Sequence, residues 1–363
     1  MRGAPLGTQR RISSFHYGSG QPKAYVQASL HADELPGMLV AHHLRQRLAV
    51  LEGAGQLRGE VVVVPVANPI GLGQSVLRRH EGRFDLASGE NFNRHYPHLL
   101  PLVLPRVEGR LGDDPAANVT VVRAAMREAL ATLPATDEVA HQRQTLFGLA
   151  CDADTVLDLH CDAEALAHLY TGTPLWPEVE PLARLLGSRA QLLALESGDH
   201  PFDEACSQTW WQLAAEFEGR HPIPLACLSV TVELRGEADI SHEQAIADAE
   251  ALIGYLTLRG HIAGPAPALP PLLEPATPLA GTDVVGSPAS GIVVYRRALG
   301  DRVRTGEVIA DVVDPLSGEV HPLSSRADGL LFARESQRYT HAGRSLCKVA
   351  GSVAIRSGKL STQ

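Results

Sequence analysis

The sequence has no apolar stretch long enough to cross a bilayer. Its first eleven residues, MRGAPLGTQRR, carry positive charge but are not followed by the apolar segment of a secretory signal. Positive charge is not in excess either, because 32 Lys and Arg residues stand against 41 Asp and Glu residues, a formal net charge of -9. These absences argue against a membrane or a nucleic acid as partner and predict a cytoplasmic location.

Cysteine is also scarce, with five residues in the chain and no Cys-x-x-Cys spacing. The pattern argues against a zinc ribbon and a disulfide framework, and we expect mostly buried thiols. With 363 residues, 44% of them hydrophobic and 20% charged, the chain has the composition of a soluble globular protein. Its length allows more than one domain.

A short apolar run over residues 25–30 ends in His31, and Glu34 follows three residues later. The run predicts a buried strand, and the next helix is predicted to begin near Pro36. Ligands of open α/β sheets bind beyond the carboxyl ends of the strands. A His and a Glu at this spacing can approach one metal ion. The same pair also fits a surface His beside a carboxylate at a helix start, so a third ligand is needed.

Three further predicted strands end in polar residues. They are residues 61–69 with Asn68, residues 155–160 with His160, and residues 225–233 with Glu233. The four consecutive valines at 61–64 are typical of a strand covered on both faces. Because carboxyl ends of parallel strands meet at one edge of a sheet, we predict His160 as the third ligand.

Helices are predicted between these strands, with apolar residues at helical spacing. One helix begins near residue 36, and three others cover residues 116–132, 204–217 and 243–259. A further short strand is predicted at residues 192–195. This order predicts an α/β fold with a mixed, mostly parallel sheet flanked by helices. A long polar loop follows Gly71 and reaches Pro97. Such loops are often functional, although a solvated basic loop is the alternative.

Residues 264–280 are rich in proline and predict a linker between a first domain, residues 1–263, and a second, residues 281–363. Beyond the linker, two glycine-punctuated sets of short strands repeat, which predicts an all-β barrel-sandwich domain. The pattern resembles the lipoyl and biotinyl carrier fold. The turn at residues 314–318 lacks the carrier lysine, so we expect a structural or site-covering module.

Together, these motifs occur in the order found in zinc carboxypeptidase-like hydrolases. They are His31-x-x-Glu34, Asn-Pro at 68–69, Asn93-Arg94, Asp-Leu-His at 158–160 and Val-Glu-Leu-Arg-Gly at 232–236. The chain resembles most closely the succinylglutamate desuccinylase and aspartoacylase family, which joins such a catalytic domain to a β-rich C-terminal domain. The resemblance covers nearly the whole chain.

The resemblance implies a zinc-dependent amidohydrolase with one Zn²⁺ per chain. His31, Glu34 and His160 would hold the ion and leave one position for water. Glu233 would take a proton from that water and pass it to the leaving amine.

The family also uses residues of the long loop. Asn93 and Arg94 would bind a substrate carboxylate. An earlier arginine would polarise the carbonyl and stabilise the oxyanion, and Arg83 is the best match. Arg78 and Arg79 are rivals, because the gap from Arg83 to Asn93 is longer than the family usually has. The chain also departs from the family's Asp-Leu-Asn-Arg motif, since it has Asn91-Phe92-Asn93-Arg94.

Two charged residues near these motifs have alternative interpretations. Asp158 is expected on the face of its strand opposite to His160, either as a buried, hydrogen-bonded carboxylate or in support of the metal site. Arg235 is expected to form a structural salt bridge, with a catalytic role as the alternative.

The leading hypothesis is therefore an enzyme that removes the acyl group from an N-acyl amino acid or a similar small carboxylate-bearing amide. A metallocarboxypeptidase acting on peptide C-termini would use the same groups, but a C-terminal domain packed over the site would exclude peptides. The third hypothesis is a non-catalytic small-molecule binding protein, which the complete ligand set and Glu233 disfavour. The oligomeric state is left open, a homo-oligomer included.

Overall fold

The computed structural model describes residues 6–360. The outer ends of the two predicted domains, residues 1–5 and 361–363, lie outside the described residues. The helices are α1 (Pro36–Gly53), α2 (Pro69–Leu72), α3 (Leu100–Val107), α4 (Pro115–Thr132), α5 (Glu138–Ala150), α6 (Trp176–Leu185), α7 (Phe202–Glu216) and α8 (His242–Leu258). None of these helices is long and apolar enough to cross a membrane.

The strands fall into a large N-terminal set and a C-terminal set. The first set is β1 (Phe15–Gly18), β2 (Lys23–Ala28), β3 (Glu60–Val64), β4 (Ser75–Val76), β5 (Arg79–His80), β6 (Thr155–Asp162), β7 (Glu164–Ala165), β8 (His168–Gly172), β9 (Ala190–Ala194), β10 (Leu228–Gly236) and β11 (Thr277–Pro278). The second set is β12 (Thr282–Gly286), β13 (Gly291–Tyr295), β14 (Arg302–Val303), β15 (Val308–Val313), β16 (Val320–Ser324), β17 (Gly329–Arg334), β18 (Tyr339–Thr340) and β19 (Ser345–Gly351).

Eight strands form one sheet in the order β1-β3-β2-β6-β10-β8-β9-β11. The pairs β1–β3 and β10–β8 are antiparallel, and the other neighbours are parallel. The predicted mixed, mostly parallel sheet is confirmed. Because β6 lies between β2 and β10, the chain segments that end near His31, His160 and Glu233 are neighbours in the sheet.

Both faces of this sheet are covered by helices. One apolar layer joins α1, α6 and α8 to the sheet through residues such as Leu44, Val179 and Leu252. The other joins α3, α4, α5 and α7 to it, with Phe147 and Trp210 fully buried. The double cover explains why the central strands are apolar runs rather than alternating patterns.

Local sequence explains where the helices begin. Pro36 and Pro115 occupy first turns, where a missing backbone N–H costs nothing. The Asp114 side chain caps α4 by accepting a hydrogen bond from the Ala116 amide. Helix α5 was not predicted, because its buried side mixes polar residues such as Gln142 and Arg143 with apolar ones. Its start at Glu138 is nevertheless marked by a cap, since the preceding aspartate accepts from the Ala140 amide.

Three predicted boundaries were wrong. Strand β2 ends at Ala28, because Ser29 has a positive φ of 63° and turns the chain before His31. The segment after Asn68 contains helix α2 and the β4–β5 hairpin rather than loop alone. Strand β10 begins at Leu228, later than predicted, and continues past Glu233.

The C-terminal strands form two antiparallel sheets with a core that includes Val293, Ile309 and Leu331. The predicted all-β region is confirmed. Two strand pairs join the N-terminal region to later parts of the chain. Strand β7 pairs with β17 of the C-terminal sheets, and β9 pairs with β11 at the end of the proline-rich segment. The proline-rich segment thus ends within the large sheet at Thr277–Pro278. The domain boundaries themselves remain predictions.

Candidate metal centre and active site

The three predicted ligands lie together at the carboxyl edge of the large sheet. His31 and Glu34 occupy the turn between β2 and α1, and His160 lies in β6. Their exposed fractions are 3%, 4% and 2%. One ligand atom from each lies within 4.8 Å of the others, so the group could hold a metal ion. The Glu34 carboxylate lies 2.8 Å from Nδ1 of His31 through Oε1 and 2.8 Å from Nδ1 of His160 through Oε2.

The second nitrogen of each imidazole contacts another buried side chain. Nε2 of His31 lies 2.9 Å from Oδ1 of Asn91, and Nε2 of His160 lies 2.9 Å from Oδ2 of Asp158. The expectation that Asp158 faces away from His160 was wrong, because residues two apart on a strand share a face. Gln27 in turn donates to Asp158 over 2.9 Å. The ring orientations are therefore fixed by partners that leave both Nδ1 atoms directed at Glu34.

Charge in this cluster is closely balanced. Burial opposes ionisation of Glu34, but His31 and His160 hold the pKa of its carboxyl well below the ordinary value. Burial likewise opposes a charge on His160, but Asp158 and Glu34 raise the pKa of its imidazole well above the ordinary value. The pKa of His31 is lowered by burial and by Arg83. Two buried carboxylates around two imidazoles suit a cation.

Glu233 faces the same cavity from the neighbouring strand. Its Cα is in register with His160 on β6 and with His168 on β8. Its Oε2 is buried and has no hydrogen-bond partner among the described residues. Burial raises the pKa of Glu233 to about 7, and the Asp162 and Glu34 carboxylates add to the rise while His168 opposes it. A carboxylate with this pKa can accept and return a proton near neutral pH.

Of the three candidate loop arginines, Arg83 is the one that reaches the cluster. Its Nη1 donates to Oε1 of Glu34 over 3.0 Å. Arg78 and Arg79 are exposed, at the turn and second strand of the β4–β5 hairpin. Close approach of the loop depends on Gly82, whose carbonyl accepts from the Ala32 amide at 3.0 Å. A Cβ at Gly82 would lie 2.1 Å from the backbone nitrogen of Asp33, which follows Ala32 in the turn between β2 and α1.

Asn93 and Arg94 both line the cavity, but they differ in their contacts. Asn93 is buried, and its Oδ1 accepts from the Phe202 amide at 2.9 Å while its Nδ2 lies 3.4 Å from Nε2 of His160. It thereby connects the start of α7 to a candidate ligand. Arg94 is half-buried, with Nη1 2.6 Å from the carbonyl oxygen of Asn93.

The C-terminal part of the chain supplies one wall of the cavity. Lys348 of β19 donates to both carboxylate oxygens of Asp162, at 3.0 and 2.8 Å. Arg356 and Leu360 line the same wall. Sequence analysis missed these residues, although a single lysine within the otherwise apolar strand β19 was a usable signal. Arg235, by contrast, pairs with Asp248 as expected.

The fold and this site define an α/β protein with a candidate metal centre at the carboxyl edge of its sheet. Residues 20–109 match the family model of the succinylglutamate desuccinylase/aspartoacylase catalytic domain. No curated protein matches the chain. The resemblance predicted from the sequence is confirmed. The family that the chain resembles consists of hydrolases of the deacylase type.

Solved structures resemble the chain over almost its full length. A succinylglutamate desuccinylase/aspartoacylase family protein from Shewanella amazonensis SB2B is 27% identical, covers 96% of each chain and has a TM-score of 0.82. One from Shewanella frigidimarina is 24% identical, with 96% of this chain and 95% of that chain covered and a TM-score of 0.82. The ectoine utilization protein EutE (DoeB) from Ruegeria pomeroyi is 16% identical, with 96% and 98% covered and a TM-score of 0.64. The last two show the shared fold.

Proposed function

We propose that the protein is a zinc-dependent hydrolase that removes the acyl group from an N-acyl amino acid or a similar small carboxylate-bearing amide. One observation carries the proposal. The buried His31, Glu34 and His160 cluster lines one cavity together with Glu233, whose Oε2 has no hydrogen-bond partner among the described residues. A metal-ligand set beside a proton acceptor is the arrangement that amide hydrolysis requires.

The donor set fits one Zn²⁺ per chain. Two imidazole nitrogens and one carboxylate are the ligands of catalytic zinc sites, and such sites keep a further position open. Nε2 of His31 and of His160 already contact Asn91 and Asp158, which leaves Nδ1 of each ring for the ion. A zinc ion there would act as a Lewis acid on the scissile carbonyl and would lower the pKa of a water molecule.

The remaining roles fall to the chain's own side chains. Glu233 accepts the proton of the attacking water and delivers it to the leaving nitrogen. Arg83 directs its guanidinium at the cluster and stabilises negative charge on the carbonyl oxygen. Arg94 binds the substrate carboxylate, and Asn93 holds the adjacent backbone in place.

The alternatives are a metallocarboxypeptidase and a non-catalytic small-molecule binding protein. Lys348, Arg356 and Leu360 close one side of the cavity, which favours small substrates over peptides. The presence of Glu233 beside a complete ligand set favours catalysis over binding alone. We also propose that the protein acts in the cytoplasm without a nucleic-acid or membrane partner, in line with the net charge of -9.

The test measures turnover of N-acetyl, N-formyl and N-succinyl amino acids by the zinc-loaded protein. Peptides with a free C-terminus are the substrates that test the carboxypeptidase alternative. Glu233→Gln should keep its zinc and lose about 10²- to 10⁴-fold in kcat, because the amide cannot accept a proton. Glu237→Gln is the matched control, since this carboxyl also has a pKa of about 7 but lies outside the cavity lining. A loss of less than about tenfold in Glu233→Gln would contradict the assigned base.

Metal content gives a second readout that is independent of the substrate. Elemental analysis should find about one zinc ion per wild-type chain, since the three ligands form one site. His160→Ala should lose it, whereas His98→Ala, a change at an exposed imidazole stacked on His200, should not. Undiminished zinc in His160→Ala would remove that residue from the ligand set.

A further inference from the structure

Two acidic side chains line the cavity without a place in the proposed mechanism. Asp203 and Glu204 are consecutive residues in the first turn of α7, and both contribute to the cavity wall. They are 6% and 7% exposed, so both carboxyl groups are removed from bulk water. Buried carboxylates in proteins are normally paired with a cation or with several hydrogen-bond donors.

Neither residue forms an ion pair in the described part of the chain, and Arg94, which lines the same cavity, is the nearby cation. The ion pairs within residues 6–360 include neither Asp203 nor Glu204, whereas the nearby Asp199 pairs with Lys359. Oε1 of Glu204 accepts a hydrogen bond from the Ser197 amide. Oε2 of Glu204 is buried with no partner among the described residues.

The cost of this arrangement appears in the titration of both groups. Burial raises the pKa of Asp203 to about 6, and the Asp158 carboxylate adds to the rise. Burial raises the pKa of Glu204 to about 7, and Asp203 adds to it. A position at a helix N-terminus favours a carboxylate, but it does not explain two of them turned toward a cavity. A cation brought in by a ligand would relieve both.

We propose that Asp203 and Glu204 form a subsite for a positively charged nitrogen, an ammonium or a guanidinium, on the side chain of the acyl amino acid. This inference rests on the proposed function, because it names the substrate class of the same cavity. The substrate would be an N-acyl derivative of a basic amino acid. Oε2 of Glu204 accepts a hydrogen bond from the cation, and the Asp203 carboxylate supplies the second negative charge.

The position of Arg94 agrees with this assignment. Arg94 lines the same cavity as Asp203 and Glu204. Burial and Arg83 lower the pKa of Arg94, and the carboxylates of Asp199, Asp203 and Glu204 oppose that effect. A basic amino acid carries its carboxylate and its cationic side chain on one Cα. Adjacent subsites of opposite charge are therefore what such a ligand requires.

The experiment compares cationic ligands with neutral ligands of nearly the same shape. The pairs are Nα-acetylarginine with Nα-acetylcitrulline, and Nα-acetyllysine with Nα-acetylnorleucine. For the zinc-loaded wild type, kcat/KM should favour the cationic member by about 10- to 100-fold, the worth of a buried charge-assisted hydrogen bond. Asp203→Asn/Glu204→Gln should lose that preference, so that the ratio of kcat/KM between the cationic and the neutral member falls to about one.

Glu216→Gln is the matched control, because this carboxylate lies at the other end of α7 and pairs with Arg220. The Glu204→Gln side chain keeps an oxygen for the Ser197 amide, so the loop it holds stays in place. Thermal denaturation of every variant establishes that it is folded. Should the double variant not fold, Glu204→Gln alone is compared in the same way.

Binding separates failure of the subsite from failure of the proposed function. Calorimetric titration of the wild type with free arginine and with citrulline needs no turnover. Tighter arginine binding that disappears in the variant supports the subsite even if no acyl amide is cleaved. Equal affinity for the two ligands, no binding of either at millimolar concentration, or an unchanged preference in the variant overturns it.

Discussion

The ammonium group of Lys348 lies between the two carboxylate oxygens of Asp162, at 3.0 and 2.8 Å, and thereby joins β19 of the C-terminal sheets to the strand that carries His160. Burial opposes the charge on Lys348, but Asp162 outweighs it and holds the pKa of the lysine above its ordinary value. The pair connects the cavity wall to the candidate metal centre.

Lys348→Met should therefore destabilise the protein by about 3 kcal/mol, because it removes the ammonium from the Asp162 carboxylate and leaves only the His168 imidazole, 3.4 Å away. Urea denaturation at neutral pH measures the loss. Lys359→Met is the matched control. Its pair with Asp199 is more exposed, so we expect less than about 1 kcal/mol. Equal losses of stability in the two variants would show that the Lys348–Asp162 pair contributes no more than an exposed ion pair.

Asn91 should matter for metal affinity although it is not a ligand, because its Oδ1 fixes the ring of His31. We expect Asn91→Leu to weaken zinc binding by about 10- to 100-fold, the usual effect of removing such a partner. Competition with a chromophoric chelator measures the constant. Asn91→Asp supplies an acceptor at the same position and should retain most of the affinity. If Asn91→Leu binds zinc as tightly as the wild type, the contact does not orient the ring.

Gly82 should not tolerate a side chain, because its Cβ would overlap the backbone of the turn that carries His31 and Glu34. We expect Gly82→Ala to displace the loop with Arg83, to lower zinc affinity and to cost about 1–3 kcal/mol of stability. Gly73→Ala is the comparison, since no atom lies closer than 3.5 Å to its added Cβ. Calorimetric denaturation measures the stability of both variants, and chelator competition measures their zinc affinity. Equal stability and equal affinity in the two variants would contradict the close approach of Gly82 to the turn.

Glu204 should make stability depend on pH. Its pKa is about 7 in the folded protein and near 4.5 when unfolded, and the groups that face it are Asp203, Glu196 and the Ser197 amide. Near pH 4 the carboxyl is protonated in both states and does not affect stability. Between about pH 4.5 and 7 the folded protein keeps this proton while the unfolded chain loses it, so the free energy of unfolding falls as the pH rises.

Glu204→Gln removes that cost. The variant should match the wild type near pH 4.5 and exceed it at pH 8 by at most about 3 kcal/mol, the value of the change in pKa from 4.5 to about 7. Urea denaturation at the two pH values measures the difference, with Glu216→Gln as the control. A constant difference between variant and wild type across this range would exclude Glu204 as its source.

The sequence predicted the parts of the site that lie at strand ends. His31, His160 and Glu233 each follow an apolar run, and the position of polar residues after such runs is a local feature. Asn91 and Lys348 could not be assigned in the same way, because each acts through a residue far away along the chain. The prediction for Asp158 misapplied strand alternation, because residues two apart, such as Asp158 and His160, share a face.

The acidic pair on α7 shows a different limit. Two carboxylates at a helix start are a common local pattern with a local explanation. Their burial, and the lack of an ion pair to Asp203 or Glu204 among the described residues, become visible only when the cavity is assembled from distant segments.

The wall formed by Lys348, Arg356 and Leu360 has a consequence for synthesis of the protein. Synthesis proceeds from the N-terminus, so His31, Glu34 and His160 are made before these three residues. A nascent chain can therefore assemble the metal ligands before the cavity is closed. On the proposed function, selectivity for small substrates would then depend on residues made after the metal ligands, and a chain that stops before Lys348 would expose an open centre.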